Sequence, residues 1–524
     1  MPSLANDPGR HAPIDRRGGH YLCFPDVCRT ADGQLLVVYN EFDRHVSTRR
    51  KVLARRSPDG RAWSSRILVN AADGHCPRVK VLEDGEVIVL DDSGVFRSVD
   101  HGRSFGRHPA DGLIHSIPDR PLELGGDRLL TTAHLHRGTH ARAKTRQPTT
   151  EQMCYRSINR GRSWEALSIL AQDRDLVLCE ASLVQVGQGR ILAFLRENSF
   201  VGEPMYLCES QDEGRTWSLP RPTPIIGHRP CAGLLPSGRL LITYRDVGPH
   251  FGLKAWLTDS VKNLGGDLGD FLPHGLHPDP GSLSFSPEGM TVTTGPDAPV
   301  RFLLRPMTDP ETARAELNFT VSVDRAEECA LALRFGVWWR LYPDRIEAEE
   351  PEDQEDGQAR ETIALAGAAA LTPGRSHDLR LVYEPGRCLL HVDGHLALTL
   401  PVDPGQADTR IIGLGCRDVK RDNAGQSLWQ ALSLRVCEPR YLREYDWSWT
   451  PDQGPPDAGL EACTLLLRDA RGLTSGDFGY SGWTTLPDGR IFCASHWTDP
   501  AEPRYESGLG SEVWGTWFTE DDFA

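Results

Sequence analysis

Polar side chains recur at matching positions of a sixfold pattern in this 524-residue chain. Six of them stand at the seventh position after six short turns: Asn40, Asp92, His134, Arg196, Arg245 and His496. A second set precedes the same turns by eight to ten residues, and includes His75, Asp119, Glu180, His228, Arg229 and Tyr480. Arginine binds carboxylates with paired hydrogen bonds, and histidine transfers protons near neutral pH. Such residues at the ends of apolar strands are expected around a ligand cavity; a hydrated channel whose polar groups satisfy one another is the alternative.

The elements that position these residues are predicted from a repeated unit. Each unit has a short strand-like stretch, a tight turn, and then four or five apolar residues. The turns lie at Asp32-Gly33, Asp84-Gly85, Gly126-Asp127, Gly189, Gly238 and Asp488-Gly489. Turn residues of this kind between two apolar stretches are typical of β-hairpins. The sequence therefore predicts six hairpins, with the polar residues near the ends of their strands.

A second motif follows four of these hairpins. Ser98–Phe105 and Ser210–Trp217 match S-x-D-x-G-x-x-[WF], Ser157–Trp164 has Asn in place of Asp, and Ser57–Trp63 is one residue shorter. We expect Asp or Asn to accept backbone N–H groups, Gly to adopt a left-handed conformation, and the aromatic ring to pack on the sheet. The motif is identified as the Asp-box, or BNR repeat. With six hairpins, the chain resembles the six-bladed β-propeller of the sialidase (neuraminidase) superfamily, an all-β fold.

The stretch before the sixth hairpin differs in character. Its acidic run at 347–356 is expected to be a solvated loop, and its strands alternate polar and apolar residues. The hairpin at Asp393-Gly394 resembles those of laminin-G/concanavalin-A-like jelly rolls. We therefore predict propeller blades one to five over 1–269, a jelly-roll β-sandwich over 270–445 inserted between blades five and six, and the sixth blade with the closure over 446–524. Glycan binding and structural packing are both open roles for the sandwich.

The resemblance implies roles for four residues. Glu180 precedes Arg196 by sixteen positions, as in the sialidase blade that carries a glutamate and a substrate-binding arginine. Tyr480 opens a stretch similar to the blade that carries the nucleophilic tyrosine, and Arg245 occupies the place of a second arginine. The resemblance thus implies that Tyr480 is the nucleophile and Glu180 its base. Arg196 and Arg245 would bind a carboxylate of the substrate.

The chain also departs from the family pattern. The family's first arginine lies in an R-I-P motif, and Cys23 stands in its place here. Arg78 or Arg229 are the candidates to replace that arginine, and Asp43 or His45 is the candidate proton donor. The remaining predicted substrate-binding residues are His75, His134, His228, His496 and Asp92.

The preferred hypothesis is a sialidase-like glycoside hydrolase that releases a terminal sugar, expected to be acidic, with retention of configuration. A polysaccharide lyase acting on a uronate-containing glycan through His134, Tyr480 and Arg196 is the first alternative. A non-catalytic glycan-binding propeller is the second. The partner in each case is a carbohydrate, and no cofactor is predicted. His20, Cys23, His75 and Cys76 have no recognised zinc spacing, so no metal site is predicted either.

The composition of the chain further restricts the possible classes of function. The chain has 58 Lys and Arg against 73 Asp and Glu, a net charge of −15, which argues against nucleic-acid or anionic-membrane binding. No apolar run reaches the length of a membrane span. The first nineteen residues lack the apolar core of a secretory signal, and the 13 cysteines are scattered. A cytoplasmic location is expected, with a removed leader left open, and the oligomeric state is not predicted.

Overall fold

The structure is a computed structural model that describes residues 1–44, 47, 49–71, 73–136, 150–173, 176–199, 204–247, 252–259, 283–295, 301–304, 309–327, 331–349, 362–365, 371–404, 408–416, 424–441, 443–455, 458–470, 477–498 and 511–523. His45 lies outside these residues. The described residues form two compact units. The first comprises those of 1–199, 204–268 and 461–524, and the second those of 269–460.

The first unit is built almost entirely of strands. Those before residue 260 are β1 His11–Asp15, β2 Tyr21–Arg29, β3 Leu35–Phe42, β4 Lys51–Ser57, β5 Ile67–Asn70, β6 Arg78–Val81, β7 Val87–Asp91, β8 Gly94–Ser98, β9 Gly106–His108, β10 Leu122–Glu123, β11 Leu129–His136, β12 Thr150–Ser157, β13 Glu165–Gln172, β14 Leu178–Gly187, β15 Arg190–Glu197, β16 Tyr206–Ser210, β17 Arg221–Pro222, β18 Gly227–Leu234, β19 Leu240–Asp246 and β20 Gly252–Thr258.

The second unit contributes β21 Leu283–Ser286, β22 Gly289–Thr294, β23 Arg301–Leu304, β24 Arg314–Ala326, β25 Ala332–Leu341, β26 Ile346–Glu349, β27 Thr362–Leu365, β28 His377–Glu384, β29 Arg387–Val392, β30 His395–Pro401, β31 Asp408–Gly415, β32 Gly425–Glu438 and β33 Arg443–Trp449. The helix α1, Ala458–Cys463, then leads to β34 Thr464–Asp469, β35 Ser481–Thr485, β36 Ile491–Thr498 and β37 Ser511–Phe518. Short 3-10 turns occur at Pro8–Arg10, Pro439–Tyr441, Pro451–Gln453 and Glu520–Phe523. Across the part of the chain that the structure describes, no helix has the length and apolar character to cross a membrane.

Six four-stranded antiparallel sheets make up the described first unit. We name them by strand order: sheet A, β2-β3-β4-β5; sheet B, β6-β7-β8-β9; sheet C, β10-β11-β12-β13; sheet D, β14-β15-β16-β17; sheet E, β18-β19-β20-β34; and sheet F, β35-β36-β37-β1. All six predicted hairpins are present, as the first two strands of each sheet. The architecture is nearly all-β and propeller-like.

Two sheets combine strands that are distant in the sequence. Sheet F pairs the N-terminal β1 with β37. Sheet E takes its fourth strand, β34, from beyond the second unit. The segment of the second unit therefore begins after the third strand of sheet E, whereas the sequence predicts that it begins after the fifth blade is complete. The reason is that β34 pairs with β20 only through long-range hydrogen bonds, for which the local pattern carries no signal.

Side-chain contacts join each sheet to the next and return to the first. They are Cys76 N–H to Asn40 Oδ1 (2.8 Å), Arg78 Nε to Asp119 Oδ1 (3.5 Å), Thr132 Oγ1 to Ala181 O (2.7 Å), Ala232 N–H to Ser182 Oγ (3.1 Å), Thr243 Oγ1 to Ser481 Oγ (2.9 Å) and Ser511 Oγ to Leu22 O (2.8 Å). The order of these contacts is A, B, C, D, E, F and A again. Each sheet consequently contacts two other sheets of the set.

The four motif turns make the predicted hydrogen bonds. In the turn at Ser98, the Gly102 N–H donates to Ser98 Oγ at 2.8 Å, and two further backbone N–H groups donate to Asp100 Oδ1 at 3.0 Å. The turns at Ser57, Ser157 and Ser210 repeat this pattern. Each turn thus fixes the exit of a third strand from its sheet.

Gly102→Ala tests how strictly these turns require glycine. Gly102 has φ +81°, and an added Cβ would lie 2.7 Å from Leu36 Cδ2 of the adjacent sheet. We expect a loss of about 2 kcal/mol in the free energy of unfolding, since the left-handed backbone and the overlap both oppose a side chain. Chemical denaturation measures it. Gly106→Ala is the matched control, because that position has no atom within 4 Å and should change stability little.

The second unit has two sheets around one core. One sheet has the order β21-β22-β32-β24-β28-β29-β30 with β33 paired to β32, and the other has the order β23-β31-β25-β26-β27. Alternate residues of β24 and β28 are buried, and both sheets contribute to the same apolar cluster, which includes Phe319, Trp339 and Trp429. The predicted hairpin at Asp393-Gly394 joins β29 to β30, and both turn residues have positive φ. This conformation is the one that two-residue hairpin turns favour.

Candidate active site

Three side chains from sheets D and F meet in the first unit. The Arg196 Nη1 group donates to Glu180 Oε2 at 2.8 Å and to Tyr480 Oη at 2.5 Å. The Tyr480 hydroxyl donates in turn to Glu180 Oε1 at 3.3 Å. Tyr480 and Arg196 are each 8% exposed and Glu180 is 5% exposed, so the cluster is largely buried but keeps some contact with solvent. A phenol held between a carboxylate and a guanidinium is arranged to transfer its proton to the carboxylate.

The protonation states follow from burial and neighbouring charges. Burial raises the pKa of Tyr480, while Arg196 and Arg245 oppose the shift, so the phenol is neutral in the resting site. Burial also acts to raise the pKa of Glu180, but the charges of Arg196 and Arg229 outweigh it and hold that pKa well below its usual range. The resting cluster is therefore a neutral tyrosine beside an ionised glutamate.

Arg245 of sheet E completes a cationic side of the site. Its guanidinium lies 5.1 Å from the centre of the Tyr480 ring, and its Nη2 group donates to His228 Nδ1 at 3.0 Å. Burial, with Arg196 and Arg245 nearby, lowers the pKa of His228 well below its usual value. His228 is therefore a neutral acceptor that orients Arg245, which itself is 8% exposed.

A backbone kink lies at the start of each of the six sheets. Each sheet has a residue with positive φ in its first strand or shortly before it: Phe24, Cys76, Ile117, Glu180, Arg229 and Gly479. Five of these are not glycine, with φ between +49° and +54°. Such a conformation is uncommon for residues with a Cβ and is concentrated at functional sites. Tyr480 directly follows the sixth kink, and Glu180 is itself the fourth.

The position of the missing family arginine is apolar. Cys23 is fully buried, and burial raises the pKa of its thiol well above the usual value, so it is uncharged. The neighbouring Phe24 ring lies 4.9 Å from that of Tyr480 and 5.1 Å from that of His75. His75 also stacks on Phe42 at 5.9 Å. The site thus has an aromatic side, distinct from the side that holds Arg196 and Arg245.

Arg78 and Arg229 are more deeply buried than Arg196 and Arg245. Arg78 is 2% exposed and Arg229 is fully buried. Asp119 lies between them, with Oδ1 3.5 Å from Arg78 Nε and 3.6 Å from Arg229 Nη2. Asp26 Oδ1 lies 3.9 Å from Arg78 Nη1 and is bound by Arg120. Both arginines therefore belong to a buried charge network that supports the floor of the site.

The other predicted residues are distributed around the cluster. His134 and His496 are buried, and a positive charge on His134 would lower the pKa of Glu180. His496 packs edge-on against Tyr480 at 5.8 Å and lies 3.5 Å from Asp477. Asp43 is exposed, and its Ser47 hydrogen bond lowers the pKa of its carboxyl. Its acidic proton is consequently lost at lower pH than in an ordinary carboxyl group.

Two residues of the site were not anticipated from the sequence. Asn198 Oδ1 accepts from Arg196 Nη2 at 2.6 Å; Asn198 lies just past the end of β15, two positions after Arg196, and that spacing could have identified it. Arg50 lies beside the aromatic side: its Nη1 is 3.7 Å from Asp92 Oδ2, and its guanidinium is 6.0 Å from the Phe42 ring. Arg50 precedes β4 outside the hairpin register, so no pattern identified it.

Among the described residues, no group of three or more His, Cys, Asp or Glu side chains is arranged to hold a metal ion. His75 and Cys76 instead belong to the aromatic side and to the contact between sheets A and B.

Comparisons with known proteins gave distant structural similarities only. No family model and no curated protein matches the chain. A Dyadobacter fermentans protein of unknown function is 13% identical, with 97% of each chain covered and a TM-score of 0.46. The sialidase of Trypanosoma rangeli is 11% identical over 82% of this chain and 95% of its own, with a TM-score of 0.34. The NanB sialidase from Streptococcus pneumoniae is 14% identical over 56% of this chain and 66% of its own, with a TM-score of 0.38. Similarities this distant assign neither an activity nor the roles of residues.

Proposed function

We propose that this protein is a sialidase-like glycoside hydrolase that releases a terminal acidic sugar with retention of configuration. One observation carries the proposal: the Tyr480 hydroxyl lies between the Glu180 carboxylate and the Arg196 guanidinium. The hydroxyl of a tyrosine can both donate and accept, and here it donates to a carboxylate and accepts from a guanidinium. A tyrosine with both a proton acceptor and a cation at its oxygen is equipped to become a nucleophile.

In this reaction, the Tyr480 oxygen attacks the anomeric carbon while its proton moves to Glu180 Oε1. The Arg196 Nη1 group, 2.5 Å from the phenol oxygen, stabilises the negative charge that develops there. The glycosidic bond breaks, and the leaving oxygen takes a proton from an acid. Water then attacks the glycosyl-enzyme and gives a proton to the conjugate base of that acid, and Glu180 returns its proton to the phenolate. Two displacements give net retention.

An acidic sugar is favoured by the charges around the nucleophile. Arg196 and Arg245 lie on one side of Tyr480, and both have exposed surface. A carboxylate beside the anomeric centre would pair with them, and a neutral phenol attacks such a centre without the repulsion that an anionic nucleophile would meet. The aromatic side formed by Phe24 and Phe42 would pack against the apolar face of the sugar.

The finer features of the fold belong to the same proposal. Sheets A to F would be the blades of a six-bladed propeller, and the four motif turns its Asp-boxes. The contacts that run from sheet A to sheet F and back to A support this. The two-sheet second unit would be a laminin-G/concanavalin-A-like jelly roll, inserted within the segment that separates β20 from β34.

Mass spectrometry of products from a panel of acidic glycans tests the proposal. The panel includes oligosaccharides that end in 2-keto sugar acids and in hexuronic acids, with neutral oligosaccharides as controls. A product heavier by one water, released first as the retained anomer in an NMR time course, is expected. A product with a new double bond and no added water would replace the hydrolase with a lyase. Binding without turnover would leave a glycan-binding propeller.

A further inference from the structure

The proposed reaction needs an acid for the leaving group, and sheet B presents a carboxyl group for this role. Asp92 directly follows β7, at the position in its hairpin that Arg196 and Arg245 occupy in theirs. Its Oδ1 accepts the His75 N–H at 2.7 Å, and His75 directly precedes the kink residue Cys76. Asp92 is the single carboxylate among the six residues at this position, which are Asn40, Asp92, His134, Arg196, Arg245 and His496.

The order of the sheets puts Asp92 on the side of Tyr480 away from Arg196 and Arg245. Arg245 and Glu180 belong to sheets E and D, which follow sheet F in one direction. Phe24 and His75 belong to sheets A and B, which follow it in the other direction, and their rings form a chain of contacts from Tyr480 toward Asp92. A sugar whose carboxylate pairs with Arg196 and Arg245 would therefore extend its opposite side toward Asp92.

The surroundings of Asp92 suit a proton donor. Its side chain is 19% exposed although its backbone faces solvent. Burial raises the pKa of Asp92 to about 6; the neighbouring charge of Asp91 adds to the shift, while the hydrogen bond from the His75 N–H and the charge of Arg50 oppose it. The Arg50 Nη1 group is 3.7 Å from Oδ2, beyond hydrogen-bond distance. This oxygen can carry a proton in weakly acidic solution, whereas Asp43 is exposed and loses its proton more easily.

From this geometry we infer that Asp92 is the acid and base of the hydrolysis, an inference that rests on the proposed function. In the first step, Asp92 gives its proton to the glycosidic oxygen, which leaves as an alcohol while the Tyr480 oxygen bonds to the anomeric carbon. In the second step, the Asp92 carboxylate takes a proton from water. The hydroxyl oxygen bonds to the anomeric carbon, and the bond to Tyr480 breaks. His75 positions the carboxyl through its backbone N–H.

Asp92→Asn with two substrates tests the inference, because the need for an acid depends on the leaving group. Both substrates carry the acidic sugar that the product assay identifies. In one it is linked to another sugar, and in the other it is linked to 4-nitrophenol. We expect Asp92→Asn to lose about 10²-fold or more of kcat/KM on the sugar-linked substrate. The loss in the first step on the 4-nitrophenyl glycoside should be small, since 4-nitrophenolate leaves without a proton. The wild-type rate should fall as pH rises through about 6, because Asp92 loses its proton there. The rate of Asp92→Asn should not show this fall.

Sodium azide supplies a readout that a purely structural role would not change. Azide needs no general base, so it should accelerate turnover of the 4-nitrophenyl glycoside by Asp92→Asn and give a glycosyl azide of retained configuration. Asp488→Asn, at an exposed turn where the carboxylate binds Arg490, is the control and should match wild type.

Equal losses on both substrates, or no glycosyl azide from a folded Asp92→Asn, would overturn the inference while leaving Tyr480 and Glu180 in place. Azide rescue in Asp43→Asn instead would assign the role to Asp43. A wild type without hydrolase activity would reject the proposed function, and this inference with it.

Discussion

Tyr480→Phe is expected to reduce kcat/KM by about 10³-fold or more for glycosides of the sugar that the enzyme releases. The substitution removes the oxygen atom that bonds to the anomeric carbon. The substitution leaves the ring, so the stacking of Arg245 at 5.1 Å and of Phe24 at 4.9 Å can persist. The ion pair between Arg196 and Glu180 also remains. Substrate binding should therefore change much less than turnover, which initial-rate kinetics and equilibrium binding measure separately.

Tyr342→Phe is the matched control for this prediction. Tyr342 is a buried tyrosine of the second unit whose ring lies under Arg345. Loss of its hydroxyl should leave kcat/KM unchanged. A Tyr480→Phe protein that keeps a tenth of the wild-type rate would show that the phenol is not the nucleophile. Rapid quenching of a fluorinated substrate followed by peptide mass spectrometry would then locate the true attachment point.

Asp26→Asn is expected to lower the free energy of unfolding of the first unit by about 3–5 kcal/mol, the usual cost of removing one partner from a buried charge network. Asp26 is fully buried. It binds Arg120, accepts the Val79 N–H at 2.9 Å, and has Arg78 at 3.9 Å. An amide keeps the shape of the side chain but leaves these guanidinium groups without their negative partner.

Denaturant unfolding followed by circular dichroism measures this loss in the unfolding transition of the first unit. The exposed pair of Asp488 and Arg490 supplies the comparison, since both side chains are 50% exposed. Asp488→Asn should change stability by less than about 1 kcal/mol. Similar small effects for the two variants would mean that Asp26 is dispensable for the floor of the site.

Local features of this protein were predictable from the sequence. The six hairpins follow from turn residues such as Asp32-Gly33, and the motif turns follow from the side-chain oxygen and glycine that each one needs. The pairing of Glu180 with Arg196 also follows from local structure: the two are sixteen residues apart on one hairpin, and the register places Cys179 opposite Arg196. Hydrogen bonds of this range depend on nearby residues, so a repeated local pattern predicts them.

The tertiary structure alone decided which of these residues meet. Tyr480 is 300 residues from Glu180, and they approach each other because six kinked strands follow one another in a closed order. The same packing buried Arg78 and Arg229 around Asp119, although their types suggested ligand binding. It also placed Arg50 beside Asp92 and β34 beside β20. Burial and the charges of distant neighbours set the pKa values on which the proposed chemistry depends, and neither is encoded in any short stretch of the chain.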